Sequence, residues 1–197
     1  LTPLDEAHLA VALDRLARQK VRAIAVSLLH AYVQDGHEQA VAAAIRRRLP
    51  GVPISLSSEV AREIREYERM STTAANAYVQ PLMGRYLDQL EGRLTDLALE
   101  APLRIMVSSG GFTSTRAGAA QPIQLLESGP AGGVLSAVNT ALEAGIKDVL
   151  AFDMGGTTAK ACVAPGGQPS LAHSFETGRV RRFKKGSGLP ILIPSID

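Results

Sequence analysis

The sequence predicts an α/β protein with a parallel sheet, and two observations carry that prediction. Between residues 3 and 57, a helical apolar pattern is followed by a continuous strand-like run, and the same order then repeats. Such alternation is typical of a parallel sheet covered by helices. Small-residue loops at 108–111 and 153–158 also follow short apolar runs, as expected at the ends of strands.

Length and charge restrict the class of function. The 197 residues suffice for one large domain or two small ones, and a formal net charge of +2 does not suggest a general nucleic-acid role. No apolar run approaches the roughly 20 residues that span a bilayer. The single cysteine, Cys162, cannot form an internal disulfide, which favours a reducing, cytosolic setting.

The first half of the chain predicts two helices and two strands. Thr2 is a candidate N-cap with Pro3 at the first helical position, so a helix is expected to about Arg18. The elements that follow are a buried strand at 21–29, a helix at 36–48 and a short strand at 53–57.

A long helical stretch follows from Ser58. Its apolar stripe predicts two long helices, because Pro81 lacks a backbone donor and would kink the first helix or start a second. Arg65 and Arg69 stand four residues apart with glutamates between them. This pattern predicts a solvated helix face with ion pairs, and a substrate or interface role is the alternative.

The second half predicts strands around a further helix. A strand is expected at 103–107, and a helix should run from Ser128 to about Leu142 and stop at Gly145. Further strands are expected at 149–153, 158–164 and 170–176, with a turn at 165–167.

The stretch FDMGGTTAK, residues 152–160, forms the tip between two of these strands. Two glycines permit close approach of an anion to backbone amides, and two threonines add hydroxyl donors. Asp153 would be repelled by phosphate but can hold Mg²⁺, directly or through water. The tip therefore suits a metal-bound phosphate, and the alternative is a plain Gly-Gly hairpin turn.

Two other loops have similar composition. SGPAGG, residues 128–133, opens a helix, whose first turn attracts anions. Alternatively, Ser128 is an N-cap and the glycines serve helix packing. SSGG, residues 108–111, ends a strand, where ligands bind in open α/β sheets. This third loop alone is weak evidence for a ligand site, but the three loops together favour a phosphate site.

These motifs resemble the hydantoinase/oxoprolinase family, of the hydantoin-utilisation A type. The pair LLESGPAGGV (125–134) and FDMGGTTAK (152–160) carries the resemblance. Three other stretches extend it over nearly the whole chain: LLHAYV at 28–33, REIREYERMSTTAANAYVQPLM at 62–83, and FKKGSGLPILIPSID at 183–197.

The resemblance implies the actin, sugar-kinase and Hsp70-like (ribonuclease H-like) ATPase fold, in which two related domains clasp Mg-ATP. Asp153 would then be the catalytic acid on the metal side, holding Mg²⁺ through water. The nucleotide-binding residues that the resemblance implies are Gly155, Gly156, Thr157, Thr158, Lys160, Ser128, Gly129, Gly132 and Gly133. Gly110 and Gly111 of the SSGG loop are added as candidates because of their place at the end of a strand. Family members often continue the tip with Thr-Asp, whereas this chain has Ala159-Lys160, and Lys160 would contact phosphate or point to solvent.

The resemblance also implies a domain division. Residues 1–57 would be the tail of a first domain, and residues 58–197 part of a second that carries the phosphate hairpin. The chain opens without methionine and ends in a strand-like run, so we expect an internal fragment. The first phosphate tip of the family is absent, and we therefore expect no ATP turnover by these 197 residues alone.

The family implies an activity and a partner. Its members use ATP to open cyclic amides, and related subunits serve ATP-dependent ketone carboxylases. We expect the ATP-handling subunit of a cyclic-amide hydrolase in the cytoplasm, with a B-type partner subunit. A ketone-carboxylase subunit and a non-catalytic nucleotide-binding module are the alternatives.

The basic run and the histidines give less specific predictions of function. The basic run at 179–185 is a solvated loop or an anion or partner site. The four histidines show no metal-ligand spacing.

Overall fold

The computed structural model describes residues 3–156, 158–181 and 184–196. By its internal contacts the chain divides into two compact units. One comprises Leu1–Tyr86 with Glu176–Ile191, and the other Leu87–Phe175 with Leu192–Asp197.

The first unit is built on two parallel strands, β1 (Ile24–Val26) and β2 (Ile54–Leu56). Helix α2 (Gly36–Arg48) connects them, and α1 (Glu6–Arg18) packs beside α2. The parallel pair and the bounds of α2 confirm the prediction. Each strand is shorter than predicted, because only three residues of each have a partner across the ladder. The buried core consists of Leu13, Ile24, Val26, Val41, Ala42, Ile45 and Leu56.

Helix α1 begins after Asp5 rather than at Pro3. Asp5 has an extended backbone, and its Oδ1 accepts a hydrogen bond from the His8 N–H at 3.0 Å. This bond lowers the pKa of the Asp5 carboxyl below its ordinary value. The predicted cap, Thr2, lies outside the described residues. Both residue types are good N-caps, so the sequence alone did not decide between them.

The stretch after β2 contains α3 (Ser57–Val60) and one long helix, α4 (Glu66–Asp96). Pro81 lies inside α4, so the prediction that it could start a second helix is wrong. A proline deletes one backbone hydrogen bond, and the bonds on either side are sufficient to continue the helix. At 1.5 Å per residue, the 31 residues of α4 extend roughly 46 Å. Its residues up to Tyr86 belong to the first unit and those from Leu87 to the second.

A buried carboxylate, Glu38, joins the ends of β1 and β2. Its Oε1 accepts hydrogen bonds from the Leu28 N–H at 2.9 Å and the Ser57 hydroxyl at 2.6 Å. Its Oε2 accepts from the Ser58 N–H at 2.9 Å and the Ser58 hydroxyl at 2.7 Å. Four donors therefore compensate the burial of one charge.

Arg69 is 0% exposed, so the predicted solvated face is wrong at this position. Its Nη2 donates to the Leu28 carbonyl at 2.6 Å and lies 3.3 Å from Glu66. The guanidinium carbon is 5.5 Å from the centre of the Tyr32 ring. Its Nε and Nη1 have no partner among the described residues. Arg65, by contrast, is exposed and lies 3.6 Å from Glu68, which confirms an ion pair there.

The second unit holds helix α6 (Ser128–Glu143) against a hairpin of β5 (Val149–Met154) and β6 (Ala159–Ala164). The bounds of α6 and of both strands agree with prediction to within one residue. Their shared core comprises Val134, Val138, Ala151, Cys162 and Ala164.

Shorter elements complete the described chain. A second hairpin joins β3 (Arg104–Met106) to β4 (Phe112–Ser114) and leads into α5 (Thr115–Ala120). Short 3₁₀ helices occupy Pro122–Leu125 and Pro165–Gly167. The strand predicted at 170–176 is divided into β7 (Leu171–Ala172), which pairs with β10 (Ser195–Ile196), and β8 (Phe175–Thr177), which pairs with β9 (Leu189–Ile191).

Candidate functional site

The stretch FDMGGTTAK forms the end of the β5–β6 hairpin. The antiparallel ladder runs from Val149 opposite Ala164 to Met154 opposite Ala159. The Gly155 N–H donates to the Thr158 carbonyl at 3.0 Å and closes the turn. The predicted hairpin is confirmed. The Gly155 amide is used by the turn itself, and Thr157 lies outside the described residues. A nucleotide contact by Gly156 stays a prediction.

Among the described residues, nothing requires a glycine at either of the two tip positions. A Cβ added at Gly155 or Gly156 would meet no described atom within 4 Å, and neither residue has a left-handed backbone. Neither packing nor conformation of the described residues therefore excludes a side chain. The open space at these positions is what an anion approaching the backbone would need.

The SGPAGG stretch forms the start of α6, but Ser128 is its first residue and not its N-cap. The N-cap is Glu127, which has a left-handed backbone (φ 61, ψ 12) and whose side chain caps no N–H of the first turn. The glycines divide into two kinds. A Cβ at Gly129 or Gly133 would meet no described atom within 4 Å, whereas a Cβ at Gly132 would come within 2.7 Å of the Met106 sulfur.

The SSGG loop is the tight turn of the β3–β4 hairpin. Ser108 is buried, and its hydroxyl donates to the Pro194 carbonyl at 2.9 Å. Gly110 has a φ of 87°, and an added Cβ would lie 2.9 Å from methyl groups of both Leu135 and Ile196. Backbone conformation and packing thus explain Gly110. Nucleotide contacts by Gly110 and Gly111 stay a prediction.

One cavity of about 390 Å³ connects the helix and the hairpin. Pro130 and Gly133 line it from the first turns of α6. Asp153 from β5 and Lys160 from β6 line it from the opposite side. Two of the three predicted loops therefore share one cavity. The SSGG glycines are not among its lining residues.

Lys160 forms an ion pair with Glu127. Their side chains are 38% and 43% exposed, so the pair lies at the edge of the unit, beside the first turn of α6. The sequence interpretation placed Lys160 on a phosphate or in solvent and did not include Glu127. An acidic residue directly before a glycine-rich helix start was the signal that could have identified it.

The other residues singled out from the sequence lie elsewhere. Cys162 is buried and lines the wall of the cavity. In the basic run, Arg179 lies 3.2 Å from Glu176, and Arg182 and Phe183 are outside the described residues. Among the described residues, no group of three histidine, cysteine or acidic side chains could hold a metal ion, and no helix is long and apolar enough to cross a membrane.

Comparison with known proteins places the chain in a family. Residues 69–197 match the family model described as hydantoinase/oxoprolinase. Residues 1–49 match a second family model, described as hydantoinase/oxoprolinase N-terminal region. Caprolactamase subunit alpha of Pseudomonas jessenii is 34% identical over 91% of this chain and 26% of its own length. The 5-oxoprolinase of Saccharomyces cerevisiae is 32% identical over 88% of this chain and 13% of its own.

Two solved structures share the fold. The ATP-dependent caprolactamase of Pseudomonas jessenii matches all of this chain and 27% of its own, with a TM-score of 0.80 and 31% identity. Nucleotide-free acetone carboxylase matches 99% of this chain and 26% of its own, with a TM-score of 0.78 and 22% identity. The implied α/β, actin-like ATPase fold is thereby confirmed. The chain spans about a quarter of these proteins, and it belongs to the hydantoinase/oxoprolinase family.

Proposed function

We propose that the complete protein is the ATP-handling subunit of an ATP-dependent hydrolase of cyclic amides. The observation that carries the proposal is the cavity shared by the start of α6 and the β5–β6 hairpin, with Asp153 in its wall. Caprolactamase and 5-oxoprolinase are similar over most of this chain, and the names of both describe action on a cyclic amide.

The residues at the cavity fit a nucleotide phosphate. Gly133 lines the cavity, Gly156 lies at the hairpin tip, and both positions are open where a Cβ would stand. The first turn of α6 contributes a partial positive charge, and the side chain of its N-cap, Glu127, accepts no hydrogen bond from that turn. These features favour close approach of backbone amides to phosphate oxygens.

We further propose that Asp153 would hold Mg²⁺ through a water molecule. A carboxylate is the ligand type that Mg²⁺ prefers, and Mg²⁺ commonly keeps several waters in phosphate sites. Bound ATP would supply the phosphoryl group that activates an amide oxygen. The role of the chain's own residues is to orient the phosphates and to balance their charge.

A B-type partner subunit and a cytoplasmic location belong to the same proposal. The similar caprolactamase protein is named as a subunit alpha and the similar acetophenone carboxylase protein as a gamma subunit, so relatives work in assemblies. The ground for the location is the single buried cysteine. We also retain the division into a first-domain tail at 1–57 and a second domain from 58.

The test is ATP hydrolysis by the full-length protein with its partner subunit. Caprolactam and 5-oxoproline are supplied in separate arms, and acetone or acetophenone with bicarbonate in others. We expect stimulation by a cyclic amide that is lost in Asp153→Asn. Asp96→Asn, which alters an exposed aspartate at the end of α4, is the matched control. Full stimulation in Asp153→Asn would remove Asp153 from the site.

A ketone carboxylase subunit is the second candidate. Its support is the match to acetone carboxylase and the 30% identity to the acetophenone carboxylase gamma subunit of Aromatoleum aromaticum, over 79% of this chain and 22% of that protein. Stimulation only in the ketone arms would favour this candidate. ATP binding without stimulation in any arm would favour a non-catalytic nucleotide-binding module.

A further inference from the structure

Glu127 makes no capping hydrogen bond although it stands at a helix N-cap. It is the N-cap of α6, where a short acidic or hydroxyl side chain normally accepts hydrogen bonds from the first-turn N–H groups. Its backbone is left-handed, and its side chain accepts none of those bonds. Instead its carboxylate pairs with Lys160, which reaches it from the hairpin. Lys160 is thus the partner of the negative charge that stands directly before the helix.

The charges around the cavity make this arrangement consequential. Asp153 and Glu127 each carry one negative charge and Lys160 one positive charge, so the three sum to a single negative charge. If Lys160 were absent, the sum would be two negative charges. The carboxylate of Glu127 would also be without its partner, one residue from the helix start whose partial positive charge attracts anions.

We propose that Lys160 is a positioning residue: it holds the Glu127 carboxylate off the phosphate subsite and keeps that subsite open to nucleotide. The inference rests on the proposed function, since it concerns the same cavity. This positioning role differs from a direct contact between Lys160 and a phosphate. Lys160 is needed as a positioning residue only while Glu127 carries its charge, whereas a direct contact would be needed in either case.

The experiment is a cycle of variants in the full-length protein, with the dissociation constant for Mg-ATP measured by calorimetry. The proteins are wild type, Lys160→Met, Glu127→Gln and the double variant, with Lys160→Arg as a charge-preserving control. The double variant has the same summed charge at the cavity as wild type, because one positive and one negative charge are removed together.

We expect Lys160→Met to weaken Mg-ATP binding by about fivefold, the size expected for one unpaired charge at a half-exposed site. In the Glu127→Gln background the same Lys160→Met change should alter binding by less than about twofold, so the double variant should match Glu127→Gln. Lys160→Arg, which keeps the positive charge, should bind more tightly than Lys160→Met. A double variant as weak as Lys160→Met would overturn the inference and leave the nucleotide site in place. Wild-type protein that binds no Mg-ATP would overturn both proposals.

Discussion

Asp153 and Lys160 lie directly opposite each other in the β5–β6 ladder. The side chains of directly paired residues project from the same face of an antiparallel hairpin, so these two side chains are neighbours. That face is the one packed on α6, because Ala151 and Cys162, the next pair on it, are buried against Val134. The hairpin therefore presents one acidic side chain, Asp153, and one basic side chain, Lys160, to the cavity beside the helix.

The glycines of the tip and of the β3–β4 turn should respond differently to alanine. Gly156→Ala fills open space, so the free energy of unfolding should change by less than about 0.5 kcal/mol while Mg-ATP binding weakens by about tenfold. Gly110→Ala places a Cβ on a left-handed backbone against Leu135 and Ile196. This change should lower the free energy of unfolding by more than about 1 kcal/mol.

Urea unfolding and Mg-ATP titration of the full-length variants measure the two effects. Equal loss of stability in Gly156→Ala and Gly110→Ala would show that the tip glycine is structural. Unchanged binding in Gly156→Ala would remove its amide from the site.

Glu38→Gln should destabilise the first unit. The replacement amide presents an NH₂ group where a carboxylate oxygen now accepts two hydrogen bonds, so buried donors lose their acceptor. The expected loss in the free energy of unfolding is about 2–4 kcal/mol. Glu63→Gln, at an exposed position, is the matched control and should leave it unchanged. Equal stability of the two variants would contradict the hydrogen-bond arrangement around Glu38.

Arg69→Lys should also destabilise the protein in spite of the retained charge. The ammonium group of lysine lacks the planar surface that lies over Tyr32. The lysine side chain must also change its position to donate to the Leu28 carbonyl. We expect a loss of about 1–3 kcal/mol in chemical unfolding. Arg65→Lys serves as control because Arg65 is exposed. A neutral result for Arg69→Lys would show that only the charge of Arg69 matters.

The Asp5 cap should give α1 a stability that depends on acid pH. The bond from the His8 N–H lowers the pKa of Asp5 in the folded state below its ordinary value of 3.8. The contribution is therefore complete above pH 3.8 and is lost as the pH falls through the lower folded-state value. Asn also caps helices but does not ionise near this pH. The stability advantage of wild type over Asp5→Asn, measured by urea unfolding, should be constant above pH 3.8 and should shrink as the pH falls below 3.8. An advantage that grows below pH 3.8 would contradict the cap.

The sequence was sufficient where local patterns determine structure. Helix α2 and the β5–β6 hairpin follow from periodicity and glycine placement, and they form as predicted. The continuity of α4 through Pro81 did not follow, because one missing backbone bond is a local penalty that a long helix packed on its surroundings can absorb. The burial of Arg69 was hidden for a similar reason, since charge spacing along a helix does not reveal which face is covered.

The site was predictable in its parts but not in its assembly. Asp153 and the SGPAGG stretch were identified from composition, and the cavity that joins them depends on how α6 packs against the hairpin. The Glu127–Lys160 pair depends on the same packing, because its partners are 33 positions apart in the chain. Gly110 was grouped with the phosphate loops, yet its φ of 87° and its contacts with Leu135 and Ile196 already account for a glycine.

The central claim is that the α6 start and the β5–β6 hairpin hold the phosphates of ATP. Its most direct test is a crystal structure of the full-length protein with Mg²⁺ and a non-hydrolysable ATP analogue. We predict phosphate oxygens within hydrogen-bonding distance of the Gly156 amide, and Mg²⁺ linked to Asp153 through water. Phosphates bound elsewhere, with the cavity between Gly133 and Asp153 left without them, would contradict the account.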